Sequence, residues 1–232
     1  MIQKIRESIR LFAANWKLFS LIVLTVWLPG SILLTYLRLY VFPGTFGGNE
    51  FKILAQEYRV SNAIELAFGP IYVGALLHAA SQWKKGLGTS YSESMTHGAR
   101  RSFKLLGTRI GTGLIVGLGL IALVIPGIFL ALRFALIDAI VVLEGAEGAN
   151  ARQLSTQMTQ GKRWSILGTM VLTFIGLFMI SALVAFILYL PLSLVGQEEN
   201  FAIALIYECI NSVLFSLLNI VLFSFYWDAK NQ

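Results

Sequence analysis

The chain has 232 residues, 56% of them hydrophobic and 13% charged, with a mean hydropathy of +0.73. Soluble domains carry about 25% charged residues, so composition excludes a soluble globular protein and points to an all-α polytopic membrane bundle. The formal charge of +6 has no basic soluble domain through which to bind nucleic acid, and the single cysteine, Cys209, excludes an internal disulfide or a cysteine-based metal cluster.

The chain opens with MIQKIRESIRLFAANW, which sets Ile2, Ile5, Ile9, Phe12 and Trp16 on one helical stripe and Lys4, Arg6 and Arg10 off it. That pattern predicts an amphipathic helix lying in the headgroup plane. Apolar runs near the length that crosses a ~30 Å hydrocarbon core then predict six spans, at 18–42, 61–83, 105–125, 128–144, 164–190 and 201–227. The first is too long for a signal-peptide core and has no clear cleavage site after it, so it reads as an uncleaved span.

Pro126-Gly127 is the only connection between the third and fourth spans. It reads as the apex of a tight hairpin, either fully spanning or re-entrant. SESMTHGARRSFKLL and GANARQLSTQMTQGKRW repeat the amphipathic pattern before the third and fifth spans, and Pro29-Gly30 stands in the first unit where Pro126-Gly127 stands in the second. These likenesses suggest three hairpin repeats, 1–85, 86–145 and 146–232, within one integral membrane domain.

Basic residues set the orientation. Fourteen of the eighteen fall before span one, between spans two and three, between four and five, or after six; Arg109 is counted among them. Only Arg38, Lys52 and Arg59 fall on the other side, so both termini are expected in the cytoplasm of a bacterium with a multi-pass inner-membrane protein. Lys4, Arg10, Arg100, Arg101, Lys104, Arg152, Lys162 and Arg163 are the candidate contacts to anionic headgroups, and membrane lipids the expected partners.

Ionisable groups inside a bilayer are costly and need partners. Depth along straight spans pairs Arg38 with Glu65 near the outer end, and Arg133 with Glu208 somewhat deeper. Asp138 lies at about the level of Asn211, and Glu208, Ser212, Ser216 and Asn219 form a polar stripe on span six. The cluster Arg133, Asp138, Glu208, Asn211 and Asn219 reads as interhelical glue; the alternative is the polar pathway of a small-molecule or lipid permease. Gly107, Gly111, Gly113, Gly117 and Gly119 read as packing surfaces, with Gly113-xxx-Gly117 the sharpest.

His78 and His97 each lack a second ligand at helical spacing, so neither a metal nor a cofactor is expected. The chain also has no HExxH, GxSxG or phosphate-loop pattern, and no enzyme activity is expected.

The stretch IPGIFLALRFALIDAIVVLEGAEGANARQLSTQMTQGKRWSILG, with the closing SVLFSLLNIVLFSFYWDAK, resembles the YciC-like family of bacterial inner-membrane proteins. It is also similar to the membrane domains fused to some glycerophosphodiester phosphodiesterases. The resemblance rests on the Pro-Gly pair, the acidic Glu144, and Arg152 and Ser155 ahead of Gly161 and Trp164. It implies a membrane-lipid setting and no catalytic residue, because the phosphodiesterase domain has no counterpart here. Lipid association or scaffolding of an envelope complex is the role expected from this reading.

Overall fold

Residues 1–194 and 200–231 are described by the computed structural model, and among them every regular element is helical. In chain order the helices are α1 (Ile2–Ala14), α2 (Trp16–Tyr36), α3 (Phe42–Phe46), α4 (Glu50–Lys84), α5 (Tyr91–Ala122) and α6 (Val124–Arg133). They continue with α7 (Ile137–Glu144), α8 (Gly148–Met158), α9 (Arg163–Leu194), α10 (Phe201–Phe215) and α11 (Leu217–Lys230). Six stretches of this series are long and apolar enough to cross a membrane: Trp16–Phe46, Glu50–Lys84, Tyr91–Ala122, Val124–Glu144, Arg163–Leu194 and Phe201–Lys230.

Local chemistry sets several of the helix starts. Asn49 accepts from the Lys52 N–H at 3.0 Å to begin α4, and Asn200 accepts from Ala202 and Ile203 to begin α10. Ser90 accepts from the Glu93 N–H at 3.2 Å, the spacing of a capping box. No breaker follows until Leu123, so α5 runs unbroken for 32 residues, about 48 Å. The segment SESMTHGARRSFKLL is therefore the first half of this long helix and not a separate element.

Packing between α4 and α5 depends on two glycines. A Cβ on Gly74 would lie 2.9 Å from Gly98 Cα, and one on Gly98 would meet the backbone of Ile71 and Ala75. Only residues without side chains allow helix axes this close. Gly107, Gly113 and Gly117, by contrast, would meet nothing within 4 Å. The Gly113-xxx-Gly117 surface expected to pack within the bundle faces open space.

The turn between the third and fourth spans also differs from expectation. The chain reverses at Leu123, the extended residue between α5 and α6 (φ −161°, ψ 137°), and Pro126 and Gly127 lie in the first turn of α6. Proline is tolerated there because the first N–H groups of a helix have no intrahelical acceptor. Gly127 serves the approach of the two helices: its Cα would lie 3.3 Å from a Cβ on Gly119, and a Cβ of its own would strike Leu120. Pro29 sits inside α2, which continues to Tyr36 and then a wider π-turn over Leu37–Val41. The two Pro-Gly pairs thus occupy unlike places, one mid-helix and one at a helix start.

The fourth span is broken between α6 and α7. Within lipid, every backbone group freed by a break needs a partner, and α8 supplies it. Buried Ser155 accepts from the Leu136 N–H at 3.2 Å and donates to the Arg133 carbonyl at 3.0 Å; Thr159 donates to the same carbonyl at 3.3 Å. Ser155→Ala should orphan the Leu136 N–H and cost about 1–3 kcal/mol. That loss should appear as a lower melting temperature of the detergent-purified protein; an unchanged one would exclude this role for Ser155.

Helix α1 runs antiparallel along α11. Ser8 and Ser224 hydroxyls meet at 3.0 Å, and Lys4 pairs with Asp228. Ser8 and Leu11 are buried against this neighbour while Arg6 and Arg10 stay exposed. The first and last helices therefore bring both ends of the chain to one face of the molecule.

Candidate functional site

Two groups of charged side chains lie within the spans, and each holds one arginine between two carboxylates. In the first, Arg109 of α5 makes a two-pronged contact with Asp138 of α7: Nε donates to Oδ1 at 3.0 Å and Nη2 to Oδ2 at 2.6 Å. Its Nη1 lies 3.6 Å from Glu65 Oε1 on α4. Paired N–H donors matched to a carboxylate make this the strongest kind of ion pair a protein builds. The Glu65 carboxylate folds back over Gly69, where a Cβ would lie 2.5 Å from Oε1. Buried Tyr72 stands beside Glu65 and also meets Trp27 and Asn219.

In the second group, Arg38 sits on the π-turn, with Nη1 3.5 Å from Glu57 Oε1 and 3.8 Å from Glu208 Oε1. Tyr189 of α9 borders it, and its ring meets the Tyr207 ring edge-on at 5.8 Å. Tyr207 in turn bonds Ser181 across to α9 at 3.1 Å. A residue added into a helix by a π-turn re-aims the side chains that follow, and here Arg38 turns toward α4 and α10. Glu57 and Glu65 stand eight residues apart on α4, so the two groups are separated by about 12 Å along that helix.

These pairings replace the ones expected from depth. Arg38 meets Glu57 and Glu208 in place of Glu65, because α4 is 35 residues long and Glu57 lies well inside it. Arg133 is not the partner of Glu208. It lies at the end of α6, where its Nε donates to Thr156 at 2.8 Å, since the chain breaks at that point. Asp138 takes Arg109, a residue expected to mark the cytoplasmic side. Asn219 joins the first group through Tyr72, whereas Asn211 bonds only the Tyr207 carbonyl of its own helix. Asp138 and Glu208 therefore belong to different groups. The cavity beside Asp138 measures about 10 Å³, room for one water at most. The common hydrated cavity that a permease would need from these two residues is not what this packing builds.

At the face shared by the termini several carboxylates are taken by lysines. Glu7 contacts Lys4 and Lys84, Asp228 contacts Lys4, Glu147 contacts Lys104, and Glu144 lies 3.2 Å from Lys230 while accepting from Tyr226 at 2.8 Å. Arg6, Arg10 and Arg100 remain exposed with no carboxylate beside them among the described residues. Of the other expected headgroup contacts, Arg101 packs over Gly145, Arg152 approaches Gly111, and Arg163 lies over the Phe129 ring at 4.6 Å. Lys162, in the turn that leads into α9, is partly buried.

The Glu7 contacts respond to pH. Burial pushes its carboxyl upward, but the ammonium groups of Lys84 and Lys4 outweigh this and hold it below the ordinary glutamate value. A depressed folded-state pKa contributes stability above the unfolded value of about 4.3, which is lost as pH falls through the folded one. Amide exchange in α1 should therefore accelerate, beyond its intrinsic pH dependence, as pH falls below about 4. Glu7→Gln should remove that acid limb; an acid limb that survives in this variant would show that Glu7 does not cause it.

Sequence spacing also missed the pair His78 and His97, whose rings stack at 4.3 Å across the α4–α5 contact. His97 Nε2 lies 3.1 Å from the Val142 carbonyl. The signal that could have found the pair is the close approach of Gly74 and Gly98, which registers the two helices.

No curated protein and no solved structure matches the chain. A family model described as a domain of unknown function, DUF7847, matches residues 98–229, from the packing glycine of α5 to the end of α11, and so takes in Arg109, Asp138, Glu208 and Asn219. With more than half its length inside that model, the chain belongs to the DUF7847 family.

Proposed function

We propose that this is a non-enzymatic multi-pass protein of a bacterial inner membrane that associates with anionic lipids, both termini cytoplasmic, in a lipid-organising or envelope-scaffolding role. The observation that carries the reading is a surplus of positive charge: lysines take Glu7, Asp228, Glu144 and Glu147, while Arg6, Arg10 and Arg100 are exposed with no carboxylate beside them among the described residues. Basic residues beside a membrane attract anionic headgroups at about 1 kcal/mol each, and they favour the cytoplasmic side. The interior charges support the same reading from the opposite direction, since Arg38 and Arg109 are each occupied by two carboxylates and act as fastenings between helices.

Lipids retained through a gentle detergent extraction test the proposal. Anionic phospholipid should be enriched over the bulk membrane composition when the extract is read by mass spectrometry. Bulk composition in the retained lipid would sink the lipid reading.

A further inference from the structure

Helix α1 divides two grooves of opposite character. On one side Ile5, Ile9 and Phe12 face Leu172 and Gly176 of α9 and Leu214 of α10, around an apolar space of about 490 Å³. On the other, Arg6, Arg10 and Trp83 line a space of about 630 Å³ at the end of α4. Glu7 also lines this second groove, but its carboxylate is held by Lys4 and Lys84. Ile2 borders both grooves, so they meet at the start of the helix.

From these observations we infer that α1 and its neighbours form a binding site for one anionic phospholipid. Its phosphate sits on Arg6 and Arg10, and an acyl chain lies in the groove between α1 and α9. Two features specify this occupant. The two exposed guanidinium groups, one helical turn apart, offer forked donors suited to a phosphate. The adjoining groove is apolar and has a volume in the range of small-molecule sites. Lys4, Lys84 and Glu7 hold the helix in place without using the arginines.

The inference rests on the anionic-lipid reading and names its site. The test is native mass spectrometry of the full chain in detergent, titrated with phosphatidylglycerol or phosphatidylcholine of the same acyl chains. Phosphatidylglycerol should bind the wild type more tightly, and Arg6→Gln with Arg10→Gln should weaken it about 30-fold. Gly176→Phe fills the apolar groove from a position where a Cβ meets nothing within 4 Å, so it should fold normally and also lose affinity. Arg100→Ala with Arg101→Ala should retain the bound lipid. If the Arg6/Arg10 variant binds as the wild type does and the Arg100/Arg101 variant does not, this site is wrong while the lipid reading stands. Unchanged affinity in Gly176→Phe would overturn the acyl groove. Equal binding of both lipids by the wild type would overturn the site and the wider reading together.

Discussion

Arg109→Leu is expected to destabilise the protein by about 3–5 kcal/mol, because it strands Asp138 without its cation inside the fourth span. The loss exceeds the worth of the ion pair itself, since most of it is the cost of a carboxylate left without a partner in a low-dielectric setting. Glu65 loses its arginine in the same step, although its carboxylate still has Tyr72 nearby. A paired replacement, Arg109→Leu with Asp138→Leu, removes both charges and should recover much of the loss. Unfolding of the detergent-solubilised protein, followed against denaturant, separates the cases. If the double variant is no more stable than Arg109→Leu alone, the pair is not the origin of the effect.

Gly98→Ala should be the second most damaging small change. Its methyl would lie 2.5 Å from the Ala75 nitrogen, and backbone cannot rotate aside as a side chain can. Helices α4 and α5 would have to separate along their contact, loosening Gly74, the stacked histidines and the buried residues of α4 together. Overpacking of this kind costs about 1–3 kcal/mol. Gly113→Ala on the same helix has open space and serves as the comparison. Equal melting temperatures for the two variants would contradict the close approach of α4 and α5.

The contrast between these glycines shows what was legible in the sequence. Six spans and a helical bundle follow from the length of the apolar runs, a property that packing does not alter. Which glycines pack does not follow, because it depends on where the helices cross. Arg109 shows the same limit for charge. With span three starting at 105, it sits near the membrane surface and serves as a topology marker. The actual helix starts at Tyr91, which puts Arg109 more than halfway along it and facing Asp138.

Depth arithmetic also treated the fourth span as straight from Pro126, whereas the reversal comes at Leu123 and a break follows Arg133. The expected partner of Arg133 was therefore displaced, and that of Arg38 changed because α4 already begins at Glu50. That α1 is a helix was legible from its periodicity; its seat along α11 was not, because Ser8 and Ser224 lie 216 residues apart.

The break after Arg133 also constrains the order of assembly. The groups it leaves open are closed by Ser155, which lies 22 residues beyond Arg133 and 19 beyond Leu136. At about 5–20 residues per second of synthesis, Ser155 follows roughly 1–4 s later. The fourth span therefore cannot complete its own hydrogen bonding when it is made. It reaches its final arrangement only after the segment that follows it has doubled back, which makes α6, α7 and α8 one unit of biogenesis.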